Sequence, residues 1–156
     1  MAAGAAIIVT ITVVGETSGL SGPRRPRFSK EGILWIPAFD HGAVMRFDPA
    51  TEEFKTYYMP TLAPGEWEAP YALNVHPETG EVWITANTSD RLFRFNPTTE
   101  TFTAYPLPTR VTWMRDIVFS KEGKVCNSSS NLPSYAIEGG RPSIICLDPR
   151  DQETTE

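Results

Sequence analysis

An internal repeat is the feature that most constrains what this chain can fold into. Shifted by 48 positions, Gly32 falls on Gly80, Trp35 on Trp83, Ile36 on Ile84, Arg46 on Arg94, Phe47 on Phe95, Pro49 on Pro97, Phe54 on Phe102, Tyr57 on Tyr105 and Pro60 on Pro108, without a gap. A third, worn copy follows. Phe28-Ser29-Lys30-Glu31-Gly32 recurs unchanged as Phe119-Ser120-Lys121-Glu122-Gly123, and Asp48-Pro49 recurs as Asp148-Pro149. A period of roughly 40–50 residues containing several short strands is the mark of a propeller blade.

Each copy reads as four strands, a to d, separated by turns. In the second copy Tyr71 to Val75 is a short apolar run, the expected innermost strand a, and His76-Pro77-Glu78-Thr79-Gly80 is a turn in which proline presets φ and glycine admits positive φ. Residues 81–85 and 91–95 alternate polar and apolar side chains, the period of strands b and c. Asn96-Pro97-Thr98-Thr99 turns into strand d at 101–105, and Pro106 to Pro108 ends it because proline cannot donate to a ladder. The same reading puts strands at 25–28, 33–37, 44–47 and 53–58 in the first copy, and at 116–119, 124–127 and 143–147 in the third. The third copy carries an inserted polar loop, Ser128 to Arg141, and has no strand d. Trp35 and Trp83 are expected between blades, and Arg46 and Arg94, which recur with the repeat, are expected to be structural.

The domain reading is therefore an N-terminal strand and linker over 1–22, three blades over 23–149 (23–60, 70–108 and 114–149), and a polar tail over 150–156. Residues 5–14 are rich in β-branched side chains, which favours a strand. They lack a basic leader and a small-residue cleavage site, so no signal peptide is recognised and a cytoplasmic location is the default expectation. Net charge is −5 with no basic run, which argues against a nucleic-acid partner, and no stretch approaches the roughly 20 apolar residues of a membrane span. Cys126 and Cys146 fall on neighbouring strands b and c of the third copy. They are expected as two buried free thiols, with one disulfide as the alternative.

Three blades cannot close a ring, because propellers have about four to eight, and an open array leaves apolar faces and strand edges bare. The chain offers one lone strand at its start and one blade lacking its outer strand. Two chains related by a two-fold axis supply six blades, and the leading strand of each can complete the third blade of the other. The expected fold is all-β: three blades of four antiparallel strands per chain, closing a six-bladed propeller as a homodimer.

The repeat resembles the blade consensus of the virginiamycin B lyase family. The resemblance is carried by Gly80, Trp83-Ile84-Thr85, Leu92, Arg94-Phe95-Asn96-Pro97, Thr99, Tyr105-Pro106-Leu107-Pro108, and by Pro70-Tyr71-Ala72-Leu73 at the start of strand a. It spans most of 23–149. Lyases of this family are magnesium-dependent and open a cyclic ester by elimination, and the resemblance implies a basic His after Pro at the start of strand a, with nearby Glu residues. In this chain that slot holds Arg24, Tyr71 and Arg115. The Glu slot after the strand-b Trp holds Phe39, Asn87 and Ser130, and one further Glu slot falls on Ala69 or Glu68. The lyase set is mostly replaced.

The strand-a slot of a propeller faces the central funnel. Arg24, Tyr71 and Arg115, with Trp67, Trp113 and Glu68 beside them, are therefore the candidate ligand-binding residues, and the guanidinium fork suits a small anion bearing carboxylate or phosphate. The alternative is that Arg24 and Arg115 pair with Glu66, Glu68 or Asp116 and hold blades together. His41 and His76 read as turn residues. No catalytic residue, metal ligand or cofactor is assigned; Mg2+ enters only under the alternative of a lyase with an altered site. Whether the chain is an enzyme is left open, and the preferred reading is a binding module.

Overall fold

The computed structural model describes residues 22–108, 112–130 and 143–152. The N-terminal strand expected at 5–14, most of the linker, most of the inserted loop and the end of the tail lie outside the described residues. Three antiparallel sheets account for the regular structure. The first comprises β1 (Arg27–Phe28), β2 (Leu34–Ala38), β3 (Ala43–Asp48) and β4 (Glu53–Tyr58). The second comprises β5 (Pro70–Val75), β6 (Val82–Ala86), β7 (Arg91–Asn96) and β8 (Thr101–Pro106). The third comprises β9 (Met114–Phe119), β10 (Val125–Ser129) and β11 (Ser143–Leu147), and among the described residues β11 is its outer edge. Order within each sheet follows the chain, as a propeller blade requires.

The turns repeat as closely as the strands. Gly32, Gly80 and Gly123 hold the same place in the three a–b turns, with φ of 83°, 72° and 85°. A Cβ at any of them would meet nothing within 4 Å, so conformation and not space calls for glycine. In the c–d turns Asp48 Oδ1 accepts from the Ala50 N–H at 3.0 Å and Asn96 Oδ1 from the Thr98 N–H at 2.9 Å, and Asp148 Oδ1 accepts from the Arg150 N–H at 3.1 Å at the same place in the third copy. Even the unfavourable left-handed residue recurs, as Glu52 (φ 59°) and Glu100 (φ 56°). Strand β1 is shorter than the expected 25–28 because Pro26 cannot donate. Pro23 bridges Ala38 instead, and Arg25 bridges Ala72 of the next blade in parallel.

Alternation sorts side chains between neighbouring blades. Trp35, Val44 and Met59 of the first blade pack on Leu73, Val82, Ile84, Phe93 and Phe95 of the second. Trp83, Leu92 and Tyr105 on the second blade's other face pack on Met114, Ile117 and Val125 of the third. Trp35 and Trp83 are 3% and 1% exposed, so each fills a blade interface as expected. Arg46 pairs with Asp48 at 3.1 Å, and Arg94 lies 3.7 Å from Glu81. Strands a of successive blades lie side by side: the Arg25 N–H reaches the Tyr71 carbonyl at 3.4 Å, and Asn74 Nδ2 donates to the Ile117 carbonyl at 2.9 Å.

The cysteine expectation is corrected. Cys126 and Cys146 are joined by a disulfide, not left as free thiols. They stand directly opposite each other in the β10–β11 register with Cα atoms 4.0 Å apart, so the ladder brings the two sulfurs together. Such bonds persist in oxidising compartments, which the cytoplasmic default does not anticipate.

Candidate ligand site at the blade entries

The start of strand a departs from regular pairing in the same way in all three blades. In the second, Pro70 pairs with Ala86 and Leu73 with Ile84, so three steps on strand a face two on strand b. In the third, Met114 pairs with Ser129 and Ile117 with Asn127, with the same excess of one. In the first, Pro23 bridges Ala38 and Arg27 pairs with Trp35, again one residue over. Each entry is thus a β-bulge, a device that re-aims side chains and ends pairing. The bulged residues are Arg24-Arg25, Tyr71-Ala72 and Arg115-Asp116. In the second blade buried Thr85 satisfies the freed backbone: its Oγ1 accepts from the Ala72 N–H at 3.0 Å and donates to the Ala72 carbonyl at 3.3 Å.

The bulges bring the expected residues together. Arg115 Nη1 donates to the Tyr71 hydroxyl at 3.1 Å, and its Nε donates to Ser130 Oγ at 3.2 Å. The Arg115 guanidinium carbon lies 5.2 Å from the centre of the Tyr71 ring and 5.9 Å from that of Trp113, and the Arg25 guanidinium carbon is 5.4 Å from Tyr71. Arg24 lies over Phe39 at 4.8 Å, and Phe39 meets Trp67 at 6.1 Å and Tyr71 at 6.2 Å, both edge to face. Trp67 is 47% exposed beside this group. Arg24, Tyr71, Arg115, Trp67 and Trp113 therefore line one continuous band of alternating arginine and aromatic groups, in which cation–π contacts fix the guanidinium planes.

Glu68 does not belong to the band. It is 2% exposed, forms a buried ion pair with Arg91, and accepts from Ser89 Oγ at 2.6 Å. Asp116 takes Arg25 at 3.3 Å and Arg27 at 3.1 Å, rather than the expected Arg24 or Arg115. Arg25, Arg27 and Phe39 are thus parts of the site that the one-residue-per-blade reading missed. The signal was present in the cluster Pro23-Arg24-Arg25-Pro26-Arg27.

Electrostatics set this end apart. Four guanidinium groups, Arg24, Arg25, Arg27 and Arg115, gather here, two of them on the carboxylate of Asp116, in a chain of net charge −5. The Arg25 and Arg27 pairs with Asp116 are partly exposed, and such pairs contribute about 0–1 kcal/mol, so they yield readily to a stronger anion. Desolvation pushes the Tyr71 hydroxyl up, but the hydrogen bond and charge of Arg115, with those of Arg25, pull harder and hold the phenol below its ordinary range. No group of three or more His, Cys, Asp or Glu side chains able to hold a metal occurs among the described residues.

His76 lies outside this band. His76 Nδ1 accepts from the Glu78 and Thr79 N–H groups at 3.3 Å each, and its ring meets Phe119 at 4.8 Å, at the far end of strand a. His41 sits in the 3-10 turn Phe39–His41. Open clefts of about 240 to 290 Å3 lie at the His76 end, between successive a–b turns, and are lined by both signs of charge, Glu31, Glu78, Glu81 and Glu122 with Lys30, Arg94, Lys121 and Arg150. Among the described residues no helix is long and apolar enough to cross a membrane.

No known sequence family matches the chain, and no curated protein does. Solved structures do. A streptogramin B lyase matches with a TM-score of 0.63 at 21% identity over 82% of this chain and 41% of its own. A catalytically inactive virginiamycin B lyase from Staphylococcus aureus with quinupristin gives 0.66 at 18%, over 86% and 44%. A dihydro-heme d1 dehydrogenase gives 0.60 at 14%, over 81% and 26%. At these identities the likeness shows the propeller fold, and it agrees with the resemblance read from the repeat. The chain spans less than half the length of either lyase.

Proposed function

We propose that this chain is half of a β-propeller and binds a small anionic molecule at its blade entries. The observation that carries the reading is the threefold bulge, which turns Arg24, Tyr71 and Arg115 into one band with Arg25, Trp67 and Trp113 around them. The planar fork of arginine recognises carboxylate and phosphate by paired hydrogen bonds, and the aromatic rings between the forks suit a ligand with a flat or apolar body. A second copy of the chain completes a six-bladed ring and doubles the arginines around its mouth.

The test is calorimetric titration and thermal shift with inorganic phosphate, citrate and an aromatic carboxylate. Binding that raises the melting temperature, weakens with added salt and drops at least tenfold in Arg115→Ala supports the reading. Lack of binding by all three anions, or equal binding by Arg115→Ala, overturns it. A second reading, an elimination enzyme akin to the lyases, has one observation in its favour: Tyr71, an acidified phenol, occupies the slot of the family's base. Under that reading added Mg2+ raises the melting temperature; under the binding reading it does not.

A further inference from the structure

The seam between the second and third blades is polar where the seam between the first and second is not. In the second blade Ile84 pairs with Leu73 of strand a, is 0% exposed and shares an apolar cluster with Trp35. In the third blade the same slot, opposite Ile117, holds Asn127, which is 3% exposed. Both polar atoms of its carboxamide are buried without a hydrogen-bond partner among the described residues. On the second blade's side of this seam stands Trp83, the counterpart of Trp35. It is 1% exposed, and its indole Nε1 is buried without a partner as well. The two stand at one level: Trp83 pairs with Asn74, Asn74 donates to the Ile117 carbonyl, and Ile117 pairs with Asn127. A buried polar group left unpartnered is costly, so a seam that keeps two calls for a reason.

Trp83 is also part of the wall of the open cleft of about 270 Å3 at the turn end of this seam, whose charged lining is Glu81, Arg94, Glu122 and Arg150. We propose that this cleft is a second ligand site, separate from the arginine band, and that it takes a small zwitterion of the α-amino acid class. The charges select the class. A simple anion meets Glu81 and Glu122, a simple cation meets Arg94 and Arg150, and a ligand carrying both signs satisfies both walls. The volume lies just under the roughly 300–1,000 Å3 of ordinary small-molecule pockets, which suits one amino acid rather than a peptide.

The repeat shows how the second blade came to offer these groups. In the first blade Arg46 is committed to Asp48 by a hydrogen bond of 3.1 Å. In the second blade the Asp48 slot holds the neutral Asn96, and Arg94 lies 3.7 Å from Glu81, close enough to attract but too far to hydrogen-bond. Its guanidinium carbon sits 5.7 Å from the centre of the Tyr105 ring, which fixes the plane of the fork. A ligand carboxylate takes Arg94 and its ammonium takes Glu81, replacing one loose pair by two charge-assisted bonds. Arg94 pairs with Trp83 across β6 and β7, so the two side chains share a face and the same carboxylate gives the indole N–H its acceptor. His76 Nδ1 already accepts from the Glu78 and Thr79 N–H groups, so the neutral ring carries its proton on Nε2 and serves the cleft as a donor. The neighbouring cleft between the first two blades, about 290 Å3, is lined by neither arginine nor tryptophan.

The experiment titrates the full chain with L-serine, L-leucine and L-phenylalanine by calorimetry and by NMR of the tryptophan indole N–H signals. Each is run beside its N-acetyl acid, which lacks the ammonium, and its amide, which lacks the carboxylate. The expected result is that at least one amino acid binds about tenfold or more tightly than both of its derivatives and moves the Trp83 indole signal, assigned by its loss in Trp83→Phe. Arg94→Gln and Glu81→Gln should each weaken that binding about tenfold, while Arg115→Ala in the arginine band leaves it unchanged. Far-UV circular dichroism identifies any variant that fails to fold, and the comparison of the three ligand forms on the unmodified chain stands without the variants. Binding by none of the three amino acids, equal binding of an amino acid and its N-acetyl or amide form, or an unmoved Trp83 signal overturns the site. Loss of amino acid binding in Arg115→Ala overturns its separateness from the arginine band.

Discussion

Removing Glu68 should cost this protein a large share of its stability, although the residue touches no candidate ligand group. Glu68 and Arg91 are 2% and 9% exposed and form a buried ion pair. Ser89 Oγ donates to the carboxylate at 2.6 Å, Arg91 Nε donates to the same Ser89 at 3.0 Å, and Arg91 Nη2 reaches the Pro60 carbonyl at 3.3 Å. The loop carrying Trp67 is thereby tied to strand β7. Deleting the carboxylate leaves a guanidinium buried without its counter-charge, and such losses cost about 3–5 kcal/mol. Against a typical total of about 5–15 kcal/mol this is severe. For a chain of this size it lowers the melting temperature by about 6–20 °C. Urea unfolding of Glu68→Ala and of Glu68→Leu/Arg91→Met measures it. The double variant, which leaves no orphan charge, should recover most of the loss. A loss under about 1 kcal/mol in Glu68→Ala would refute the reasoning, since it would mean that the pair is open to water.

Three further outcomes follow from the same geometry. Tyr71→Phe should remove from the absorbance titration near 295 nm a phenol that ionises below the ordinary tyrosine range and before Tyr57, because Arg115 and Arg25 lower Tyr71 while burial and the Glu100 charge raise Tyr57. The linkage sign is that of a depressed group: Tyr71 ionisation adds stability once pH exceeds its folded value, and that gain is lost as pH falls back through it. Trp83→Ala should cost about 3–5 kcal/mol in chemical unfolding, as for a buried large side chain, whereas Trp67→Ala, at a site 47% exposed, should stay within about 0.5 kcal/mol. The Asp148 carboxyl, held down to about 2 chiefly by its hydrogen bond from the Arg150 side chain, should titrate at higher pH in Arg150→Ala, moving part of the way to the ordinary value of about 3.9 because the Arg150 N–H still donates to it, when followed by NMR.

The blades were legible because the repeat supplies period, turn and strand pattern together, and each constrains the others. Trp35 and Trp83 could be placed between blades from their recurrence alone. The bulges were not legible. A bulge is a mismatch between two strands, and the sequence of strand a carries no mark of it beyond the preceding Pro23, Pro70 or Met114. Without the bulge, each blade entry reads as one inward residue, which is why Arg25 and Arg27 were passed over. Glu68 was assigned to the funnel through a one-residue slip in aligning slots. Its partner Arg91 stands where the first copy has Ala43, and that departure from the repeat was the available clue. The disulfide shows the same limit. The repeat places Cys126 and Cys146 on neighbouring strands, but only the register, hidden by the inserted loop, sets them face to face.

The most direct test of the account is an experimental structure determined with citrate or phosphate present at saturating concentration. The account predicts the anion at the blade entries, within hydrogen-bonding reach of Arg115 and of Arg24 or Arg25, on the axis of a ring of six blades. An anion seated among the a–b turns near His76, or an arc of blades whose Arg24, Tyr71 and Arg115 face away from one another, would contradict it.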